Sequence, residues 1–335
     1  MSETTPELES KEQNKIKKWI KFIASFALGI TILIFIFKNL GITPEIAMDT
    51  LLNVGYFYSL LIVATYGVLN YFVALKWRVI ITTLVPDIVP RKGYFMYFGS
   101  LSFLFNSLMP QSGFGVRVLS LKLLYDIPVS KGILSQFIDQ LSELVVSVVF
   151  LLPFFLYILE ITSLNQSALL LLVSILAVFV FIKILKFKRI KNIGDRLSKH
   201  THHLMRFSIF TKFKNLFVDV NFAKLNISLI VVIGFLKMFS TVSGTILMMW
   251  AAGISISPLE AFIIAPVVYL IGLFAITPGG IGTVDAGWLG ILLLLGVDKI
   301  AIGKFLIIDI ALGNLSQALV TLITYLFYNF VNRPE

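Results

Sequence analysis

Six long apolar runs dominate the chain, at 22–37, 54–75, 133–157, 166–186, 226–250 and 305–330. A transmembrane helix needs roughly 20 such residues. Inside a bilayer every backbone polar group must be satisfied by the chain itself, so only helices and closed barrels can cross. These runs are continuous rather than alternating, and they therefore read as helices. Composition agrees. Hydrophobic residues make up 58% of the chain and charged residues 14%, against roughly 25% charge in an average soluble domain. That balance excludes a disordered chain and argues against a soluble globular one. The chain has no cysteine, which excludes disulfides, thiolate nucleophiles, zinc–thiolate sites and iron–sulfur clusters.

The few charges orient the runs. The net charge is +10, and in a membrane protein such an excess marks cytoplasmic loops rather than a nucleic-acid surface. The segment 183–224 carries 11 Lys or Arg against Asp195 and Asp219, so it is expected inside. The segment 76–93, with Lys76, Arg78, Arg91 and Lys92, is also expected as an inner loop. Segment 38–52 has one Lys against two acids, and 158–165 and 251–258 have no Lys or Arg; all three read as outer loops. Lys11, Lys15, Lys17, Lys18 and Lys21 precede the first run. No small-x-small cleavage site follows it, so it reads as a retained anchor behind a basic cytoplasmic tail, 1–21. The expected protein is a multi-pass plasma-membrane protein with both termini cytoplasmic.

Two further apolar stretches, 94–130 and 259–297, are broken by Pro and Gly. Loop orientation requires the first to enter from the cytoplasm and return to it, and the second to do the same from outside. The first turns at Asn106, Pro110, Gly113 and Gly115, the second at Pro278, Gly279, Gly280 and Gly282. The offset from Pro110 to Pro278 nearly equals the offset between the flanking runs, which start at 54 and 226 before the turns and at 133 and 305 after them. The fold class is thus all-α: a polytopic membrane helix bundle of six full spans plus two re-entrant Pro/Gly-broken hairpins in an inverted repeat. It forms a single domain, 22–331, with repeat units 54–157 and 226–330. Paired broken segments in an inverted repeat point to a substrate site near the bilayer midplane, because unpaired backbone is tolerated only against protein or a water-filled cavity.

Polar residues inside the runs supply candidate site residues. The third run holds Gln136, Asp139, Gln140 and Glu143, with the two acids one turn apart on one face. Lys237 lies inside the fifth run; Asp309, Asn314 and Gln317 lie inside the last, with Lys304 at its outer end. Arg117 and Asp285 flank the two hairpin turns. An intramembrane charge costs roughly 2.5–3.5 kcal/mol on the insertion scale, so these residues need partners or a water path. Arg117 and Lys237 are expected to meet an anionic head group. Asp139, Glu143, Asp285 and Asp309 are expected to pair with those cations, hold a cationic group or carry protons. His200, His202 and His203 read as a solvated face rather than a metal site, and 187–221 reads as an amphipathic helix on the anionic inner leaflet.

Residues 277–297, TPGGIGTVDAGWLGILLLLGV, resemble the signature of the lysylphosphatidylglycerol synthase transmembrane-region family, whose pattern is sPGGiGv-x-E followed by an apolar helix. Asn106 to Pro110, then Gly115 and Arg117, resemble the family's n-x-x-l-P…G…R stretch, and Asp139-Gln140-Leu-Ser-Glu143 resembles its E-R-x-x-D helix. Gln140 stands where the family usually has Arg, Asp285 where it has Glu, and Val116 where an acid commonly follows the hairpin glycine. Asp309 lies near a common Arg. The resemblance implies a flippase-like membrane protein that handles phospholipids or polyprenyl-linked lipids. Some members fuse this module to an aminoacyltransferase domain, for which this chain has no room.

The leading expectation is a lipid transporter that moves a polar lipid between leaflets through a cavity between the hairpins. No nucleotide-binding G-x-x-x-x-G-K-[ST] occurs, and no cofactor, metal or nucleic acid is expected. The alternatives are a head-group-modifying enzyme using Asp139 and Glu143, or a non-catalytic subunit of a separate synthase or transferase. A homo-oligomer is compatible with all three.

Overall fold

The computed structural model describes residues 5–88, 90–109, 112–187, 225–273 and 277–331, whose regular structure is all helical, with no strand among the described residues. In chain order the helices are α1 (Thr5–Asn39), α2 (Pro44–Asn53), α3 (Tyr56–Leu84), α4 (Lys92–Leu108), α5 (Ser112–Tyr125), α6 (Val129–Val148), α7 (Leu151–Ile158) and α8 (Leu164–Phe187). They continue with α9 (Ile227–Ala251), α10 (Pro258–Leu273), a one-turn 3-10 helix (Pro278–Gly280), α11 (Thr283–Leu294) and α12 (Lys299–Val331). Five segments are long and apolar enough to cross a membrane: α3, α6 with α7, α8, α9 and α12. A sixth arises if the apolar half of α1 is joined to α2 across their 90° bend.

Local chemistry places the ends. Thr43 starts α2 by accepting the Ile46 amide on its hydroxyl at 3.3 Å, with Pro44 in the first turn. Asn226 does the same for α9 through the Leu229 amide. Side-chain caps of this kind satisfy donors that the first turn leaves free.

Several boundaries differ from those read in the sequence. The span expected at 54–75 runs on to Leu84, so Lys76 and Arg78 lie in α3 rather than in a loop. The expected outer loop 38–52 contains α2, which packs on α12. The last helix starts at Lys299 and takes Lys304 into its second turn. The tail expected at 1–21 is continuous with α1 from Thr5 onward. Most of the basic segment 183–224, with its three histidines, lies outside the described residues, as does Pro110.

The two broken stretches form helical hairpins, α4–α5 and α10–α11, and each is framed by a long helix on either side. The long helices α3 and α9 pack along each other at the centre. Each hairpin contacts both halves of the chain: α4 packs on α3 and α12, and α10 packs on α9 and α6. Polar contacts fix this arrangement. Gln317 on α12 donates to the Ser100 carbonyl (3.0 Å) and accepts from Asn70 Nδ2 (3.0 Å), tying α12 to α4 and α3. On the other side the Thr245 and Tyr269 hydroxyls meet at 2.5 Å, joining α9 to α10. Each hairpin also has its own aromatic packing. Trp77, Tyr94 and Phe95 form one cluster, and Trp288 meets Phe305 edge-on at 5.4 Å in the other.

Candidate functional site

The two hairpin turns meet each other. A side-chain carbon on Gly279 would lie 3.3 Å from the Ser107 backbone of the first hairpin. The second turn can take this shape because Gly279, Gly280 and Gly282 adopt positive φ (61°, 75° and 83°), which costs glycine little. The first turn closes differently. The Gly113 amide donates to Asn106 Oδ1 at 2.8 Å, and the Ser112 hydroxyl donates to the Phe105 and Met109 carbonyls. Gly115 lies within α5 and has open space beside it.

Behind the meeting turns lies a cavity of about 490 Å³, lined by both hairpins and by α3, α6, α9 and α12. Its charged residues fall into two groups. The first is an ion-pair cluster. Asp139 bridges Lys76 Nζ (2.7 Å) and Arg117 Nη1 (2.8 Å). Glu143 bridges Lys76 and Lys237, the latter at 2.7 Å. Arg117 Nε also donates to Ser102 Oγ at 2.8 Å, its Nη1 reaches Gln136 Oε1 at 3.3 Å, and its guanidinium lies 5.2 Å from the Trp77 ring centroid. Lys237 stands 5.8 Å from the Phe103 ring centroid. Gln136 is 5% exposed, and its Nε2 has no hydrogen-bond partner.

The second group is acidic. Asp285 is buried in the first turn of α11 and accepts the Gly282 amide on Oδ2 at 2.7 Å. It thus holds the turn together, and its charge suits the helix N-terminus. Asp309 lines the cavity from α12 and makes no ion pair among the described residues; it lies close enough to Asp285, Tyr66 and Tyr269 to interact with each electrostatically. Sequence offsets relate the two groups. Arg117 and Asp285 each follow their hairpin proline by the same interval, and Asp139 and Asp309 are related by nearly the same offset as the two prolines. One unit therefore carries an Arg–Asp pair where the other carries two acids.

The structure thus brings Arg117, Asp139, Glu143, Lys237, Asp285 and Asp309 to one cavity. Sequence reasoning missed Lys76, which is 1% exposed and contacts both carboxylates. The available signal was weak: Val79, Ile80, Ile81 and Leu84 continue past it, but Arg78 interrupts them. Gln317 belongs mainly to the clamp between α3, α4 and α12. Asn314 faces the cavity with its Nδ2 bonded to the Ile310 carbonyl at 2.6 Å.

The family model described as Lysylphosphatidylglycerol synthase TM region matches residues 22–321, nearly the whole chain. No curated protein and no solved structure gives a significant match.

Proposed function

The chain belongs to the lysylphosphatidylglycerol synthase transmembrane-region family, and on that premise we propose that this multi-pass membrane protein moves a polar lipid head group between leaflets. The observation that carries the reading is the charged cavity walled by two hairpins whose turns touch. A head group crossing hydrocarbon must exchange its hydration for fixed polar partners, and a bundle interior with buried cations and acids supplies them. Arg117 and Lys237 would hold the anionic part of a phospholipid or lipid-linked head group, while Asp285 and Asp309 would face a cationic part or carry protons. The hairpins would be re-entrant, α4–α5 from the cytoplasmic side and α10–α11 from the outside, with six full spans around them.

Reconstitution in liposomes containing fluorescent phospholipids tests the reading. Exchange between leaflets that is lost in Arg117→Ala and Asp285→Ala is the expected result. Head-group modification without exchange would replace it with an enzymatic reading. For the topology, single cysteines at positions 111 and 131 in this cysteine-free chain should both resist labelling from outside the cell. Outside labelling at 131 removes the first re-entrant hairpin.

A further inference from the structure

The charges that line the cavity do not balance. Three cations, Lys76, Arg117 and Lys237, face four acids, Asp139, Glu143, Asp285 and Asp309, and no other charged side chain lines it among the described residues. All three cations are committed to Asp139 and Glu143. Asp285 has a local answer to its charge, since it accepts the Gly282 amide in the first turn of α11, where the helix end favours an anion. Asp309 has neither an ion pair nor a hydrogen bond among the described residues. We infer that Asp309 holds one exchangeable proton, and that this proton links lipid exchange to the pH on the two sides of the membrane. The inference rests on the transport reading above and adds to it the coupling ion.

Comparison with Asp139 shows what Asp309 lacks. Asp139 is held by Lys76 and Arg117. At close to the offset that relates Asp139 to Asp309, Met248 follows Lys76, Asp285 follows Arg117 and Gly313 follows Glu143. The packing agrees with those offsets. Lys76 meets Glu143 one turn beyond Asp139. One turn beyond Asp309, a side-chain carbon on Gly313 would lie 3.8 Å from the Met248 methyl and 2.7 Å from the Tyr66 hydroxyl. One acid thus has two cations for neighbours, and the other has a thioether and a second acid. A carboxylate inside a membrane is costly without a counter-charge, and a proton removes that cost. The protonated carboxyl has one O–H to donate. The hydroxyls of Tyr66 and Tyr269, within electrostatic reach of Asp309, can accept it.

Coupling follows from the charge count. Of the helices packed on α12, α3 brings Tyr66 and Lys76 to the cavity lining, α9 brings Lys237 and α11 brings Asp285; α2 and α4 bring no titratable group. Tyr269 comes from α10, and Arg117, Asp139 and Glu143 complete the set. With the proton bound, the sum is zero. Without it, one net negative charge must be carried whenever the cavity turns from one face to the other, in surroundings that solvate charge poorly. The proton-loaded form therefore turns over faster, and exchange rises as pH falls.

The test has two arms, both on the full chain in liposomes of phosphatidylcholine and phosphatidylglycerol. Infrared titration from pH 5 to pH 9 reads the carbonyl stretch of a protonated carboxyl. A titrating band is expected that is lost in Asp309→Asn and kept in Asp309→Glu. Met248→Lys supplies the missing cation and should also remove it. The second arm follows leaflet exchange of a fluorescent phosphatidylcholine, which has no net charge, in sodium-free buffer. Exchange is expected to run about tenfold faster at pH 6 than at pH 8. Asp309→Asn and Met248→Lys should lose that dependence, and Asp309→Glu should keep it. Asp309→Asn, which changes little in shape, carries the test if Met248→Lys does not fold. A band that survives Asp309→Asn, wild-type exchange that ignores pH, or exchange that needs sodium and not protons overturns the inference. A titrating band at Asp309 without leaflet exchange would sink the transport reading and leave the proton site standing. Exchange indifferent to both pH and Asp309→Asn would do the reverse.

Discussion

Replacing Gly113 by Ala should cost activity out of proportion to stability. Gly113 sits in the first turn of α5 with its amide bonded to Asn106 of α4. A Cβ there would fall on the Ser102 carbonyl oxygen, far inside contact distance, and 2.8 Å from Asn106 Oδ1. Ordinary carbon–oxygen contacts are about 3.3–3.6 Å, so the two helices of the hairpin must part by about 1 Å. Overpacking of this kind costs about 1–3 kcal/mol, partly offset by up to about 1 kcal/mol from the better helix propensity of Ala. The net loss is then about 1–2 kcal/mol, read as unfolding free energy in mixed micelles. The functional loss is larger because Ser102 also holds Arg117, one turn beyond Gly113 on the same face. A separation of about 1 Å stretches their 2.8 Å bond to about 3.8 Å, outside hydrogen-bond range, and frees the guanidinium to leave its seat on Trp77. Leaflet exchange should fall at least tenfold. Gly115 is the control. It lies two residues on, and a side-chain carbon there would meet nothing within 4 Å, so Gly115→Ala should match or exceed the wild type in both assays. Equal effects from the two substitutions would refute the reasoning.

Asp139→Asn leaves Lys76 and Arg117 buried without the carboxylate that joins them, and should lower the unfolding free energy by about 3–5 kcal/mol. Gln317→Leu strips partners from Asn70 and Ser100 and should cost about 1–3 kcal/mol in the same assay, while the remaining folded protein keeps its lipid exchange. Gly282→Ala combines a φ of 83° with a 2.7 Å approach to the Gly29 carbonyl oxygen, and a loss of at least about 1 kcal/mol is expected.

The hairpins were legible because Pro and Gly interrupt otherwise apolar stretches at one offset, a pattern that depends only on local backbone chemistry. Asp139 and Glu143 were legible for a similar reason, since acids within an apolar run stand out. One of their partners, Lys76, was not. Lys76 belongs to a different helix, far from both acids in sequence, and at the end of an apolar run it reads as a flank charge, the role most lysines play there. Arg117 was found, but its seat on Ser102, Gln136 and Trp77 depends on how α3, α4, α5 and α6 converge, which no local pattern encodes. Asp285 was read only for its charge. Its bond to the Gly282 amide became apparent once the turn had a shape.

The helices outside the proposed repeat units brace the two hairpins differently. α1 lies against the second turn, where Gly29 approaches the Ile281 carbonyl oxygen and Thr277, and α8 packs on α10. The first hairpin packs on repeat helices, chiefly α3, α6 and α12. An ideal inverted repeat would interchange its halves at no energetic cost, leaving two conformers related by a two-fold rotation equally populated. Contacts that brace one half lift that degeneracy, and unmatched bracing of about 1.4 kcal/mol skews the populations tenfold. In the transport proposed above, such unequal bracing would give the empty protein a preferred side.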